Sequence, residues 1–315
     1  MGEFDHIAWL RQRTPKSPRI LVGPGDDCAV IAPKPRGEVL RTPGIDNGWL
    51  VTTDMLLEGS HFVLAETGPR RVGRKAMAVN LSDIAAMGGR PVAAFVSVGL
   101  PRAQTQTVAQ DLYLGMREVA DAFDTSIAGG DTNTWAGGLV ICVTVLGDPG
   151  PQGPILRSGA KPADWLMVTG PLGGSILGKH LDFVPRVREG LLLQEHAPIH
   201  AMIDISDGLA VDVFHLSEES GCGVLLLADN IPIAPAARAL ADGKTPLEHA
   251  LSDGEDFELA FAVAADDGAR LLKTQPIAGI TLAHVGVFRE EKSLWLQEDG
   301  KRRRIEPRGY VHAFG

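Results

Sequence analysis

Six short acidic motifs, most of them following an apolar run, restrict most strongly what this chain can fold into. An isolated carboxylate beside a buried strand is costly to desolvate, so repeated sites of this kind indicate shared cations. Oxygen ligands without a supporting cluster of cysteine or histidine favour Mg²⁺, and Mg²⁺ in turn indicates phosphate. The motifs are Gly25-Asp26-Asp27, Thr52-Thr53-Asp54, Asn80-Leu81-Ser82-Asp83, Gly129-Gly130-Asp131, Asp204-Ile205-Ser206-Asp207 and Gly254-Glu255-Asp256.

The overall charge of the chain supports this magnesium hypothesis. The 315 residues are 44% apolar and 22% charged, which is typical of a globular protein with room for two domains. The formal net charge of −9 argues against a nucleic-acid partner, because nucleic-acid binding needs clustered lysine and arginine. An acidic protein that handles phosphate also needs cations to screen the repulsion.

Cysteine usage and the apolar runs indicate the cellular setting. Cys28, Cys142 and Cys222 are scattered and form no CxxC pair, so a reducing environment is expected. The first six residues have neither the basic nor the apolar region of a signal peptide. No apolar run reaches the roughly 18 residues of a membrane-spanning helix. We therefore expect a cytoplasmic protein without a membrane partner.

Alternating strand and helix patterns indicate an α/β or α+β architecture. Apolar steps of three and four residues predict a helix over residues 104–123, and residues 70–87 and 209–219 also have a helical pattern. Runs of strand length occupy residues 49–53, 92–100, 139–146, 165–169, 224–227 and 257–263.

A segment rich in glycine and proline divides the chain. Residues 147–161 hold four glycines and three prolines and few apolar residues. Such composition is typical of a linker between domains. We therefore expect domains at residues 1–148 and 149–315.

Asp83 has the strongest individual signal for a metal ligand. The surrounding residues 76–87 are apolar apart from Asn80, Ser82 and Asp83, which predicts a buried helix. A charge in such a helix needs a partner, either a metal ion or a hydrogen-bonding backbone group. We favour the metal ion.

The other motifs also have structural interpretations that stay open at this point. A surface turn explains Gly25-Asp26-Asp27, a polar strand end explains Thr52-Thr53-Asp54, and a hairpin turn explains Gly129-Gly130-Asp131. Before a predicted helix, Ser206 or Asp207 fits the N-cap position, although the same geometry also binds phosphate.

Two other chemistries receive little support. Residues 173–180 resemble a P-loop, but His180 stands where the loop needs a serine or threonine hydroxyl for Mg²⁺. The spacing of His196 and His200 suits a zinc helix, but Pro198 between them disrupts such a helix. The sequence also has no GxSxG elbow and no cysteine beside a plausible base, so covalent catalysis has no positive support.

Taken in order, the motifs resemble those of the thiamine-monophosphate kinases, which are members of the aminoimidazole-ribonucleotide synthetase superfamily. The similarity extends from Gly2-Glu3-Phe4 to Gly309-Tyr310-Val311-His312, which is nearly the whole chain. It is strongest at residues 75–88, 157–162, 202–209 and 254–259. Asp253 departs from the family pattern, since the family usually has glycine there.

The resemblance implies roles for individual residues. Three matching positions in the family contact the acceptor substrate: His61, Glu255 and Tyr310. Tyr113, Gly130, Asp131, Arg157 and Ser206 match positions that bind ATP. Positions matching ligands of several Mg²⁺ ions are Asp27, Thr52, Thr53, Asp54, Asp83, Asp131, Asp204 and Asp207.

The resemblance also implies a fold and a reaction. The expected fold is a two-domain PurM-like α/β (α+β) fold, in which the N-terminal sheets of two subunits pair into a barrel-like homodimer core. The expected reaction is ATP-dependent phosphorylation of thiamine monophosphate to thiamine diphosphate, by direct in-line transfer with Mg²⁺. The alternatives are another ATP-dependent member of the superfamily, such as an aminoimidazole-ribonucleotide synthetase, a P-loop NTPase, or a nucleotide-binding protein without catalysis.

Overall fold

The computed structural model describes residues 11–12, 17, 19–23, 25–32, 48–103 and 106–310. These residues form two mixed sheets. In the first sheet the strand order is β1-β2-β3-β6-β4-β5, and only the β4–β5 pair is parallel. Its strands are β1 (Ile20–Val22), β2 (Ala29–Ile31), β3 (Trp49–Leu57), β4 (Arg90–Pro101), β5 (Ser126–Trp135) and β6 (Val140–Asp148).

The second sheet contains seven strands in the order β13-β12-β9-β11-β7-β10-β8, and only the β9–β12 pair is parallel. Because β10 runs antiparallel to the edge strand β8, the C-terminal end of β8 and the N-terminal end of β10 lie at the same end of the sheet, where residues beside them line the cavity described below. The strands are β7 (Trp165–Val168), β8 (Ile199–Asp204), β9 (Gly223–Leu227), β10 (Leu259–Val263), β11 (Ala283–Arg289), β12 (Leu294–Glu298) and β13 (Lys301–Arg304).

Nine α-helices occur within the described residues, and none of them has the length and apolar character needed to cross a membrane. In chain order, the first three lie among the strands of the first sheet and the other six among those of the second. They are α1 (Leu64–Thr67), α2 (Pro69–Ala86), α3 (Gln106–Ala122), α4 (Lys179–Asp182), α5 (Val187–His196), α6 (Leu209–Glu219), α7 (Pro235–Ala239), α8 (Pro246–Ser252) and α9 (Ala265–Thr274).

Helix α2 joins the two halves of the molecule. One side packs on β3 and β6 of the first sheet, and the other contacts α5 and β8. Its apolar residues share one core with Met202 and Phe261 of the second sheet. Its C-terminal part, residues 76–86, is buried on nearly all sides and is apolar apart from Asn80, Ser82 and Asp83. This packing places Asp83 between the two sheets.

Helices α2 and α3 cross closely because each presents a glycine to the other. A Cβ atom at Gly73 would lie 2.1 Å from the carbonyl oxygen of Leu112, and one at Gly115 would lie 1.9 Å from that of Arg70. Neither position has room for a larger side chain, so the crossing distance depends on these two glycines.

The sequence located many elements correctly and missed others. All six predicted strands and all three predicted helices are present, the helix at residues 209–219 with the predicted bounds and the others with shifted ends. Residues 104 and 105 of one predicted helix lie outside the described residues. Gly129-Gly130-Asp131 does not form a hairpin turn but lies within β5. The basic residues 301–304 form the edge strand β13, and all four are exposed.

Gly115→Ala tests the close helix crossing. Relative to glycine, alanine stabilises an isolated helix by up to about 1 kcal/mol. Overpacking a core, however, destabilises the folded protein by about 1–3 kcal/mol. We expect packing to dominate and urea denaturation to give a lower free energy of unfolding. Gln110→Ala, at an exposed position of α3, is the control and should change it by less than about 0.5 kcal/mol. A more stable Gly115→Ala variant would disprove the close crossing.

Candidate active site

A cavity of about 740 Å³ is lined by residues from both halves of the chain. The strand β3, helix α2, the segment after β8 and the loop before β10 all contribute to its walls. The predicted site residues that it brings together are Asp27, Thr52, Thr53, Asp54, His61, Asp83, Arg157, Asp204, Ser206, Asp207, Glu255 and Tyr310.

Three carboxylates that line this cavity lie close to one another. Asp27 precedes β2, Asp83 lies in the last turn of α2 and Asp204 ends β8, and one oxygen of each lies within 4.8 Å of the others. The hydroxyl of Thr52 donates to Asp83, and the hydroxyl of Ser82 donates to Asp204 over 2.5 Å. Residues far apart in sequence therefore form one cluster.

Burial makes the negative charges of this cluster unfavourable. Burial raises the pKa of Asp83 well above its ordinary value, the charges of Asp54 and Asp204 raise it further, and the Thr52 hydrogen bond lowers it. Burial and then the charge of Asp27 raise the pKa of Asp204 to about 7. The same two causes raise the pKa of Asp54 to about 6. The carboxylates therefore compete for protons when no cation lies among them.

Arg157 offsets part of this charge. Its Nη2 donates to Asp27 over 2.7 Å and its Nε over 3.2 Å, while its backbone amide lies 3.2 Å from a carboxylate oxygen of Asp26. One guanidinium does not neutralise the facing carboxylates. Their oxygen donors and shared charge fit hard divalent cations such as Mg²⁺.

The loop before β10 forms another wall of the cavity and has an unusual backbone. Gly254, Glu255 and Phe257 have φ values of +73°, +51° and +49°, although only the first is glycine. Residues other than glycine adopt this region at a cost and persist there when the surroundings hold them. The amide of Glu255 donates to the carbonyl oxygen of Ser206 over 2.7 Å, and its carboxylate pairs with Lys75.

The segment before α6 is arranged differently from the sequence prediction. Neither Ser206 nor Asp207 caps the helix, because the N-cap position is Gly208 and it makes no side-chain cap bond. The amides of Asp207 and Gly208 instead donate to Asp212 over 3.1 Å each. Sequence reasoning missed Asp212, and its only signal was an acid in the first turn of the helix.

Three predicted ATP-binding residues lie outside this cavity. Gly130 and Asp131 are exposed on β5, an edge strand, and Tyr113 is exposed on α3. The carboxylate of Asp131 accepts hydrogen bonds from the Thr132 amide and the Asn133 side chain. Their proposed roles therefore stay predictions.

Thr53 lines the cavity, but its hydroxyl lies on the face of the sheet opposite to that of Thr52. It lies 2.9 Å from the hydroxyl of Thr144 and 3.2 Å from the carbonyl oxygen of Val143. The neighbouring Thr52 hydroxyl points to Asp83 instead, as the alternation of side chains along a strand requires. A hydroxyl ligand at this strand is therefore better placed at Thr52.

The segment that resembles a P-loop does not present its amides to a ligand. The amide of Gly173 donates to Asp256 over 2.8 Å, and that of Gly174 donates to Asp253 over 2.9 Å. Lys179 lies 2.9 Å from Glu258. These groups bind the protein's own carboxylates, which argues against a P-loop at this position.

Comparisons with known proteins match nearly the whole chain to one family. Family models described as AIR synthase related protein, N-terminal domain, and AIR synthase related protein, C-terminal domain, match residues 25–148 and 160–297. Thiamine-monophosphate kinase of Rhodopirellula baltica is 41% identical over 313 residues, covering 98% of this chain and 97% of that protein.

Solved structures give the same result. "AaThiL complexed with AMPPCP and TMP" superposes with a TM-score of 0.82 at 26% identity, covering 99% of this chain and 97% of that chain. Thiamine-monophosphate kinase from Stenotrophomonas maltophilia K279a superposes with a TM-score of 0.72 at 32% identity, covering 95% and 97%. The two mixed sheets and the acidic cavity between them thus define a member of the AIR synthase related family, with its two-domain α/β PurM-like fold. Within this family, the chain belongs to the thiamine-monophosphate kinases.

The raised pKa values predict how stability depends on pH. Between about pH 4 and pH 7 the folded protein keeps protons on Asp54 and Asp204 that the unfolded chain has released. Without divalent cations, the melting temperature should therefore fall as the pH rises through this window. Mg²⁺ should restore it at pH 8, because a cation replaces the protons. Differential scanning calorimetry with and without chelator measures both effects.

Asp83→Asn sharpens this test because it removes one of the competing charges. At pH 8 without metal, this variant should melt at a higher temperature than the wild type and should gain less stability from Mg²⁺. Asp121→Asn, at an exposed position of α3, is the control and should behave as the wild type. A wild-type melting temperature that rises between pH 5 and pH 8 in chelator would contradict the electrostatic argument.

Proposed function

We propose that this protein transfers the γ-phosphoryl group of ATP to thiamine monophosphate and so forms thiamine diphosphate. The observation that carries the proposal is the convergence of Asp27, Asp83 and Asp204 in one cavity. Membership of the thiamine-monophosphate kinases supplies the acceptor. The related structure with AMPPCP and TMP supports a site that holds a nucleotide analogue and a second ligand together.

Divalent cations, which we propose to be Mg²⁺, fit the cluster. Asp27, Asp83 and Asp204 would hold them, with Asp54 and Thr52 at the same side of the cavity. When bound, Mg²⁺ neutralises charge on the phosphate groups of both reactants and aligns them. The protein contributes by fixing the carboxylates before the reactants arrive, so that little reorganisation is needed.

No general base is needed for this reaction. The second pKa of a phosphate monoester is about 6, so the acceptor oxygen is largely ionised at neutral pH. The remaining barrier is the repulsion between two polyanions, and Arg157 at the cavity wall helps to offset it. We therefore propose direct in-line transfer without a phosphoenzyme, for which inversion at a chiral γ-phosphorus is the stereochemical test.

The remaining site residues take their proposed roles from position and resemblance. Arg157 and Ser206 line the cavity and are proposed to contact ATP. His61, Glu255 and Tyr310 line it as well and are proposed to contact thiamine monophosphate. The other site residues keep the roles that the resemblance implies. Of these, Thr53 and Asp207 line the cavity, whereas Tyr113, Gly130 and Asp131 lie outside it.

Phosphorus NMR tests the proposed reaction directly. Purified protein with Mg²⁺, ATP and thiamine monophosphate should give the signals of thiamine diphosphate and ADP. Asp83→Asn should lower kcat about 100-fold or more at every Mg²⁺ concentration, since it removes a preorganised charge. Asp121→Asn should retain wild-type kcat. Turnover with another acceptor but none with thiamine monophosphate would reject the proposal.

We also propose that the protein is a homodimer that pairs its N-terminal sheets, and that its domains divide at residues 148 and 149. One face of the first sheet is covered by α2, whereas apolar side chains remain exposed on its strands. Met55 is 55% exposed and Phe95 is 42% exposed. A second sheet packed on these residues would remove them from water.

Phe95→Glu tests the dimer. Placing a charge in a buried interface is costly, so sedimentation equilibrium should show a shift from dimer to monomer. Val184→Glu is the control, since Val184 is also exposed but lies between α4 and α5. It should leave the mass unchanged. A monomeric wild type at tens of micromolar would be evidence against the dimer.

A further inference from the structure

Lys75 is a fully buried lysine at the cavity. It lies in α2, and its side chain is 1% exposed. A buried ammonium group is costly unless its donors are satisfied, so its partners identify its role. Its Nζ donates to Glu255 over 2.5 Å and to the backbone carbonyl oxygen of His61 over 2.9 Å.

These two partners are two of the three residues proposed to contact the acceptor. His61 follows β3 in the first half of the chain, and Glu255 precedes β10 in the second. One ammonium group therefore connects the two sides of the acceptor pocket. From this geometry we propose that Lys75 is a positioning residue that sets recognition of thiamine monophosphate by fixing Glu255 and the His61 turn at one spacing. This inference rests on the function proposed above.

The loop itself is held by contacts that do not involve Lys75. The amides of Glu255 and Phe257 donate to the carbonyl oxygens of Ser206 and Ile205 over 2.7 and 2.8 Å. Behind the loop, buried Glu258 accepts two hydrogen bonds of 2.7 Å from Arg186. Loss of Lys75 therefore leaves the loop backbone anchored and changes the orientation of the Glu255 carboxylate.

The carboxylate of Glu255 has the chemistry that a thiamine acceptor needs. Its side chain is 33% exposed, and one oxygen is engaged by Lys75. The acceptor carries a permanent thiazolium cation and an aminopyrimidine with N–H donors, and both are attracted to a carboxylate oxygen. Since Lys75 neutralises Glu255, recognition depends on where that carboxylate lies rather than on net charge alone.

The partners of Lys75 also indicate which of the two substrates its removal should affect. Lys75 contacts neither Asp27, Asp83 nor Asp204, the cluster that we propose to serve the phosphate groups. Its removal should therefore affect the KM for thiamine monophosphate and leave the KM for ATP nearly unchanged. A residue that only stabilised the fold would not produce this division between the two substrates.

Steady-state kinetics of Lys75→Met test the inference. Lys75→Gln is a second variant in case the first does not fold. We expect the KM for thiamine monophosphate to rise about tenfold or more, with the KM for ATP within about twofold of the wild type. Arg71→Met is the matched control. Arg71 lies one turn earlier in α2 and also bridges the two halves of the chain, through Asp182, but it is exposed and outside the cavity.

A double-mutant cycle with Glu255→Gln shows whether Lys75 acts through Glu255. If it does, the Lys75→Met/Glu255→Gln double variant should have nearly the same KM for thiamine monophosphate as Glu255→Gln alone. Equal increases in KM for both substrates, strict additivity, or the same selective effect in Arg71→Met would overturn the inference.

Calorimetry separates this inference from the proposed function. If the wild type forms no thiamine diphosphate, the proposed function fails, and the binding of thiamine monophosphate without ATP then tests Lys75. A dissociation constant that rises about tenfold in Lys75→Met supports its positioning role. An unchanged constant, or no binding of thiamine monophosphate by the wild type, overturns it.

Discussion

Mutual repulsion among buried carboxylates is the constraint around which the molecule is organised. Asp27, Asp83 and Asp204 come from a segment before β2, a central helix and a strand end, and they meet only because α2 packs against both sheets. Without a cation this arrangement is electrostatically unfavourable, as the raised pKa values of Asp83 and Asp204 indicate. The large shared core supplies the stability that keeps the charges together.

The loop before β10, which also lines the cavity, has a strained backbone. Glu255 and Phe257 adopt positive φ values that ordinary residues avoid. Backbone hydrogen bonds to the segment after β8 and the ion pairs of Glu258 hold the loop in this conformation, so the strain persists. The carboxylate cluster and the loop before β10 thus both line the cavity, and each is fixed by hydrogen bonds and ion pairs of its own.

Local patterns in the sequence predicted six of the thirteen described strands and the three longest helices. The second half of helix α2 was recognisable because burial on nearly all sides leaves a largely apolar sequence, and Asp83 stood out against it. The strands without a distinct signal were β1, β2, β5, β8, β11, β12 and β13. Glycines within β5 indicated a turn equally well, since local preference does not register a neighbouring strand such as β4.

The sequence by itself predicted the kind of ligand: repeated oxygen donors, few competing soft ligands and an acidic chain indicate divalent cations and phosphate. It also determined family membership, because the order and spacing of the motifs are specific. Only the tertiary structure decided which acids meet, that Thr52 rather than Thr53 directs its hydroxyl to Asp83, and that Lys75 joins His61 to Glu255. These contacts join residues up to 180 positions apart, and such distances are set by packing rather than by local sequence.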